Sequence, residues 1–209
     1  MLFIFAILFS SLAVLGQTFE GKITYSNTYK SQNPAMPDQQ WLSMMGSEQD
    51  YFIKEGNYKS ISNGTLSQWS IYSNSANRLY SKTSNSEIVF WNDALNNSDS
   101  VISVKLTKNV LTVLGYPCDE LILTCRSGTQ KYYFNSKLKV DVSLFVKHKF
   151  GNWSVFLKHS KSLPLKMVID NDFFIMESTA TEIKKMKLTE AEFDLPKGIK
   201  TQKFPSMTN

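Results

Sequence analysis

The chain has 209 residues, a formal net charge of +5, 42% hydrophobic and 13% aromatic residues. That length suits one domain with a full core and leaves little room for two. The aromatic and apolar content excludes a disordered, charge-solvated chain.

Met1 to Leu15 is an uncharged, strongly apolar run that gives way to polar sequence at Gly16-Gln17. It falls short of the roughly 20 apolar residues needed to cross a bilayer. It therefore predicts a cleavable signal peptide over 1–16, with Val14 and Gly16 before the cut and Ala13 marking a second option. No Lys or Arg precedes the apolar run, and no Cys sits near the cut to carry a lipid anchor. The expected product is exported, periplasmic or extracellular, and soluble, with one domain over 17–209. Export argues against a nucleic-acid partner.

Phe19, Gly21, Ile23 and Tyr25 alternate with polar residues, the period-two pattern of a half-buried strand. From Gln32 to Gln49 the alternation is lost. Pro34 and Pro37 punctuate a segment read as a flap, in which Trp41, Leu42, Met44 and Met45 share one side of a short helix. Strands are predicted at Tyr51–Lys54, Tyr58–Ile61, Leu66–Ser73, Arg78–Lys82 and Glu87–Trp91. Glu55-Gly56-Asn57, Asn63-Gly64 and Asn74-Ser75 supply turns between antiparallel neighbours. After a polar loop at Asn96–Ser100, strands follow at Val101–Val113, Asp119–Cys125 and Thr129–Asn135. Lys137 to His159 has partly helical spacing around Gly151 and predicts one or two short helices. Leu165–Ile169 and Phe173–Thr181 form strands around an Asp170-Asn171-Asp172 turn, and Leu188–Lys200 reads as a loop. The fold class is mainly β: a curved antiparallel sheet or open half-barrel with one or two short helices packed on its concave face.

Cys118 and Cys125 flank six residues of strand sequence without a turn, which would hold their α-carbons roughly 23 Å apart. A disulfide tolerates about 7 Å, so two unpaired thiols are expected. No cofactor and no metal set is implied: the two cysteines lack a nearby His. His148 and His159 are the only histidines, neither lies in a catalytic motif, and no nucleophile elbow or phosphate loop is present. The sequence predicts no enzyme activity.

Arg126, Lys131, Lys137, Lys139, Lys147, Lys149, Lys158, Lys161 and Lys166 occupy a stretch whose only acid is Asp141. Such a block suits solvated strand edges, and also peripheral contact with an anionic membrane surface. Three Asn-X-Ser/Thr triplets begin at Asn63, Asn96 and Asn152, and carry weight only in a eukaryotic secretory route. The aromatic excess is the remaining signal. Tyr51, Tyr58, Trp69, Tyr80, Trp91, Tyr133, Trp153 and Phe156 are candidates to line an apolar ligand site on a curved sheet, with plain core packing as the alternative.

Val113-Leu114-Gly115-Tyr116-Pro117-Cys118, followed by Gly128-Thr129-Gln130-Lys131-Tyr132-Tyr133, resembles the DUF4412 family of exported bacterial proteins. The likeness extends to the Phe19–Tyr25 opening, Tyr51-Phe52-Ile53-Lys54 and the closing Phe193-Asp194-Leu195-Pro196, and the Gly-Gln cut is similar to those of Bacteroidota exports. The resemblance implies a fold similar to LolA and LppX, lipoprotein or lipid carriers, and transfers no catalytic residue and no ligand. The expected role is a non-catalytic envelope protein binding a lipid, a lipoprotein or another hydrophobic ligand. The alternative is a structural or protein-interaction module with a filled core.

Overall fold

The structure, a computed structural model, describes residues 18–205, so the expected leader at 1–16 lies outside the described residues. Twelve strands form one sheet: β1 (Gly21–Ser31), β2 (Glu48–Lys54), β3 (Asn57–Ser62), β4 (Ser67–Ser73), β5 (Arg78–Thr83), β6 (Val89–Asp93), β7 (Val101–Val113), β8 (Tyr116–Cys125), β9 (Gly128–Lys139), β10 (Ser162–Asn171), β11 (Phe174–Lys185) and β12 (Thr201–Lys203). Two helices accompany them, α1 (Asp38–Met45) and α2 (Trp153–Ser160). The order across the sheet is β12-β6-β5-β4-β3-β2-β1-β11-β10-β9-β8-β7. The chain therefore runs outward from β1 to β6, crosses to the opposite edge at β7 and returns inward to β11, which pairs with β1 at the middle. The predicted mainly-β, open architecture with few short helices is the one observed.

Local turn chemistry accounts for most neighbours. Glu55 adopts φ 52° beside Gly56 to close β2 onto β3, and Leu114 (φ 48°) with Gly115 (φ 78°) makes the two-residue link from β7 to β8. Two consecutive positive φ values match the twist of paired antiparallel strands. Between β10 and β11, the Asn171 Oδ1 accepts from the backbone N–H of Phe173 (2.9 Å) and of Phe174 (3.1 Å).

The sheet is curled. Side chains of β5 and β10 stand six ladder steps apart, roughly 29 Å if the sheet were flat. Yet Leu79 of β5 and Met167 of β10 line a single cleft of about 230 Å³. The concave face carries the main core: Ile23 and Tyr25 of β1, Ile53 of β2, Leu121 and Leu123 of β8, and Tyr132 and Phe134 of β9. Phe156 and Leu157 of α2, and Phe145 of the 3-10 turn Val142–Phe145, pack down onto them.

Three expectations change. The segment read as a flap holds α1 against β1: Trp41 meets the Phe174 ring edge-on at 4.7 Å, and Asp38 accepts from the backbone N–H of Ser31 at 2.6 Å. At its end, Gly46 (φ 98°) would place a Cβ 2.2 Å from the Ser62 Oγ, so only glycine lets helix and β3 come this close. The Lys137–His159 stretch begins as strand, since β9 continues to Lys139, and becomes helical only from Val142. The Leu188–Lys200 tail is a loop only in part. Thr189 and Glu192 form a capping box around a 3-10 turn at Glu190–Phe193, which rests against β3 and β4. Leu188 and Phe193 are both buried there, two isolated apolar residues that give no period for a sequence reading to detect. The tail then adds β12 in parallel to β6, so the sheet is mixed and not purely antiparallel.

Candidate functional site

The cleft lies on the concave face and is lined by Tyr25, Gln49, Tyr51, Tyr58, Ser60, Ser70, Leu79, Trp153, Pro164 and Met167. Strand register builds it. Tyr51 faces Ile23 and Ser60 across the ladders, Tyr58 faces Tyr72, Ser60 faces Ser70, and Tyr72 faces Leu79. Directly opposed residues point to the same side of a sheet, so this set shares one face. Trp153 closes the cleft from above because α2 begins there, after Gly151 and Asn152 turn the chain with φ 62° at each.

An aromatic row crosses β2, β3 and β4. Tyr51 and Tyr58 stack with centroids 5.2 Å apart, as do Tyr58 and Tyr72. The His148 ring lies over this row, 4.1 Å from Tyr72 and 5.7 Å from Tyr58, and its Nε2 is 2.8 Å from the Tyr58 hydroxyl. His148 is 2% exposed, and that desolvation drives its pKa from 6.5 down to about 4. It is a neutral ring near pH 7. Burial raises the hydroxyls of Tyr25, Tyr51 and Tyr58 well above the ordinary tyrosine value, so the cleft wall carries no ionised phenol.

The polar atoms of the cleft are unevenly satisfied. Tyr25 donates to the carbonyl of Pro164 at 2.7 Å, and the Gln49 Nε2 donates to the Ser60 Oγ at 2.6 Å. The Tyr51 hydroxyl and the Trp153 Nε1 are buried without any hydrogen-bond partner. A buried donor left unmade costs on the order of 1–3 kcal/mol. Neither serine of the lining is hydrogen-bonded to a histidine, and none of the ten lining residues carries a formal charge.

Of the eight aromatic residues proposed from sequence, Tyr51, Tyr58 and Trp153 line the cleft, and Phe156 supports it from behind, 5.2 Å from Trp153 and 4.2 Å from Tyr132. The other four stand on the convex face. Trp69 and Tyr80 are offset by one residue from Ser70 and Leu79, and Trp91 is paired with Tyr80. Tyr133 is offset by one from Tyr132, whose ring stacks on Phe156. A single-residue offset moves a side chain to the opposite side of the sheet. There Trp91 packs under the Arg78 guanidinium, 3.9 Å from its ring centroid. The sequence reading missed Tyr25, Gln49, Ser60, Ser70, Leu79, Pro164 and Met167. Spacing of two from Tyr51 and Tyr58 would have pointed to Gln49 and Ser60.

The basic stretch does not converge on the cleft. Seven of its nine residues are exposed, Lys131 and Lys166 are half-buried, and Lys166 is paired with Glu177 at 2.7 Å. His159 is exposed. Cys118 and Cys125 are free and buried at opposite ends of β8; Cys125 accepts from the Asn152 Nδ2 at 3.3 Å, and burial raises its thiol to about 11. Among the described residues no group of three or more His, Cys, Asp or Glu is placed to hold a metal ion, and no helix is long and apolar enough to cross a membrane.

These features define an open, curled, mainly-β sheet with an uncharged aromatic cleft under a short helix. No family model and no curated protein matches the chain. Among solved structures it is similar to the one described as "Structure of PNGF-II in P21 space group", with a TM-score of 0.51 and 15% identity. The match covers 90% of this chain and 32% of that one, so this chain spans about a third of the other's length. The likeness is one of fold alone.

Proposed function

We propose that this protein is a non-catalytic, exported envelope protein that holds a lipid or another hydrophobic ligand in the concave cleft of its sheet. The observation that carries the reading is a cleft of about 230 Å³ walled by tyrosine, tryptophan, leucine, proline and methionine and free of charge. The cleft is open to solvent on one side, and its volume is on the order of eight liquid-water volumes, so a ligand seated there would remove its apolar wall from water. The cleft is also smaller than the roughly 300 Å³ at which drug-sized sites begin. It suits one acyl chain segment or one ring, not a two-chain lipid. The apolar leader and the resemblance to DUF4412 proteins support export, and the absence of a charged or activated side chain in the lining supports binding over catalysis.

Organic extraction of the purified protein followed by mass spectrometry, with uptake of a fluorescent acyl probe, tests the reading. A stoichiometric co-purifying amphiphile or saturable probe uptake is expected; repeated absence of both overturns it. That negative result favours a module with a filled core, a reading supported by Phe145, Phe156 and Leu157, which are fully buried against the sheet. The exposed basic residues suit peripheral contact with an anionic membrane, expected as salt-sensitive sedimentation with anionic vesicles.

A further inference from the structure

The segment Val146-Lys147-His148-Lys149-Phe150 places a basic and an apolar side chain on each side of a histidine. That histidine is an anchor: it is buried on the rings of Tyr58 and Tyr72 and so ties the segment to β3 and β4. Its neighbours stand in solvent. Lys147 and Lys149 are exposed, and so are Val146 at 63% and Phe150 at 38%. Side chains of the β4–β5 turn hold the backbone as well: the Asn74 Nδ2 donates to the Leu144 carbonyl, and the Asn77 Nδ2 donates to the Lys147 carbonyl at 3.2 Å. The Ala94 carbonyl accepts from the backbone N–H of Lys149 at 2.7 Å and of Phe150 at 3.0 Å. This last contact brings Leu95, which follows Ala94 and is 49% exposed, alongside Phe150.

Single exposed apolar residues are ordinary, whereas three gathered from two loops, rimmed by lysines and held on a fixed backbone, mark an interaction surface. A fixed loop also loses little conformational entropy when it docks. The rim is positive: among the described residues neither Lys147 nor Lys149 forms an ion pair. The carboxylates of the flanking segments accept from backbone N–H groups, Asp93 from Leu95 at 2.9 Å and Asp141 from Ser143 at 3.0 Å. A second copy of the chain on this face would set lysine against lysine. Area argues against a protein partner, because a whole aromatic side chain buries about 150–250 Å². Three partly exposed residues therefore fall short of the roughly 800 Å² per partner of a stable protein interface. An anionic bilayer suits both properties: its head groups attract lysines, and its interfacial zone takes up apolar side chains.

We infer that Leu95, Val146 and Phe150 form a shallow wedge that enters the interfacial zone of an anionic membrane, with Lys147 and Lys149 against the surrounding lipid phosphates. This rests on the peripheral membrane contact proposed above and assigns it to one fixed patch in place of the basic stretch as a whole. Lysines elsewhere on that stretch add only to the general attraction.

The probes are vesicles of phosphatidylcholine alone and of phosphatidylcholine with phosphatidylglycerol in about a 3:1 ratio, sedimented with the purified protein at low salt. The native protein is expected to partition onto the anionic vesicles. Lys147→Gln and Lys149→Gln should each weaken that partition about fivefold, the effect of one lysine near an anionic surface. Val146→Ser and Phe150→Ser should each weaken it about threefold to tenfold, as loss of a half-buried apolar side chain requires. Lys30→Gln, an exposed lysine at the far end of β1 from Gly21, should change it less than about twofold. Val146 is the most exposed of the three apolar residues, so its variant keeps the test decisive if Phe150→Ser lowers the unfolding midpoint. Unchanged partition of both serine variants overturns the wedge and leaves the membrane contact standing. A loss in Lys30→Gln as large as in Lys147→Gln also overturns it, because the contact is then diffuse. Failure of the native protein to bind anionic vesicles overturns the inference together with the membrane reading beneath it.

Discussion

Acid should loosen this protein through one residue. In the folded state His148 is buried against Tyr58 and Tyr72 with a pKa of about 4, whereas an unfolded chain gives it back the ordinary 6.5. A depressed pKa means that the unfolded state binds a proton first as pH falls, so stability is full above about 6.5 and is lost progressively down to about 4. At about 1.4 kcal/mol per pH unit the difference corresponds to roughly 3 kcal/mol at the acid limit. Set against a domain stability of about 5–15 kcal/mol, that is a large fraction. Urea unfolding measured between neutral pH and the carboxylate range should show this slope in the native protein. His148→Gln, which retains a group able to bond Tyr58, should lose most of it. The lowered carboxyl groups of Glu20 and Asp141 act in the same sense, being stabilising while deprotonated, but their contribution fades only as pH falls through the ordinary carboxylate range, and does so in both proteins. Parallel pH profiles for the native and substituted proteins would refute the assignment of the slope to His148.

Phe156→Ala removes a fully buried ring that touches Tyr132, Phe134 and Trp153, and should cost about 3–5 kcal/mol in denaturant unfolding; a loss below about 1 kcal/mol would mean the α2 packing is not as described. Gly46→Ala combines a φ of 98° with a Cβ 2.2 Å from the Ser62 Oγ and 2.7 Å from the Gly64 nitrogen, so a loss above about 1 kcal/mol is expected from thermal or denaturant melts. Cys118 and Cys125 should react with an alkylating agent only after unfolding, with no mass gain on reduction; alkylation of the native protein at the rate of a free thiol would contradict their burial.

How much of this was legible beforehand follows from the range of each interaction. The strand at Phe19–Tyr25, the Glu55-Gly56 turn and the Asn171 hairpin are written in adjacent residues, because backbone pairing of period two and positive-φ turn chemistry act over two to four positions. The Cys118–Cys125 separation was legible for the same reason: an uninterrupted strand is a ruler. Helix α1 was half legible, as Trp41 and Leu42 mark its apolar side, but its contact with Phe174 spans more than a hundred residues of sequence and left no local trace.

The sequence by itself determined a mainly-β chain of short strands, its turns, and an excess of aromatic side chains that had to be buried somewhere. It did not determine which of them meet. Trp69 and Tyr72 lie in one strand and go to opposite faces. Tyr58 and Met167, in contrast, are separated by about half the chain and line one cleft. That sorting is done by register across β2 to β5 and by the curl that brings β5 towards β10, and both are properties of the assembled sheet. The state of His148 was decided there too. An imidazole in a basic stretch is an ordinary titratable group until the surrounding rings strip its water and leave it neutral.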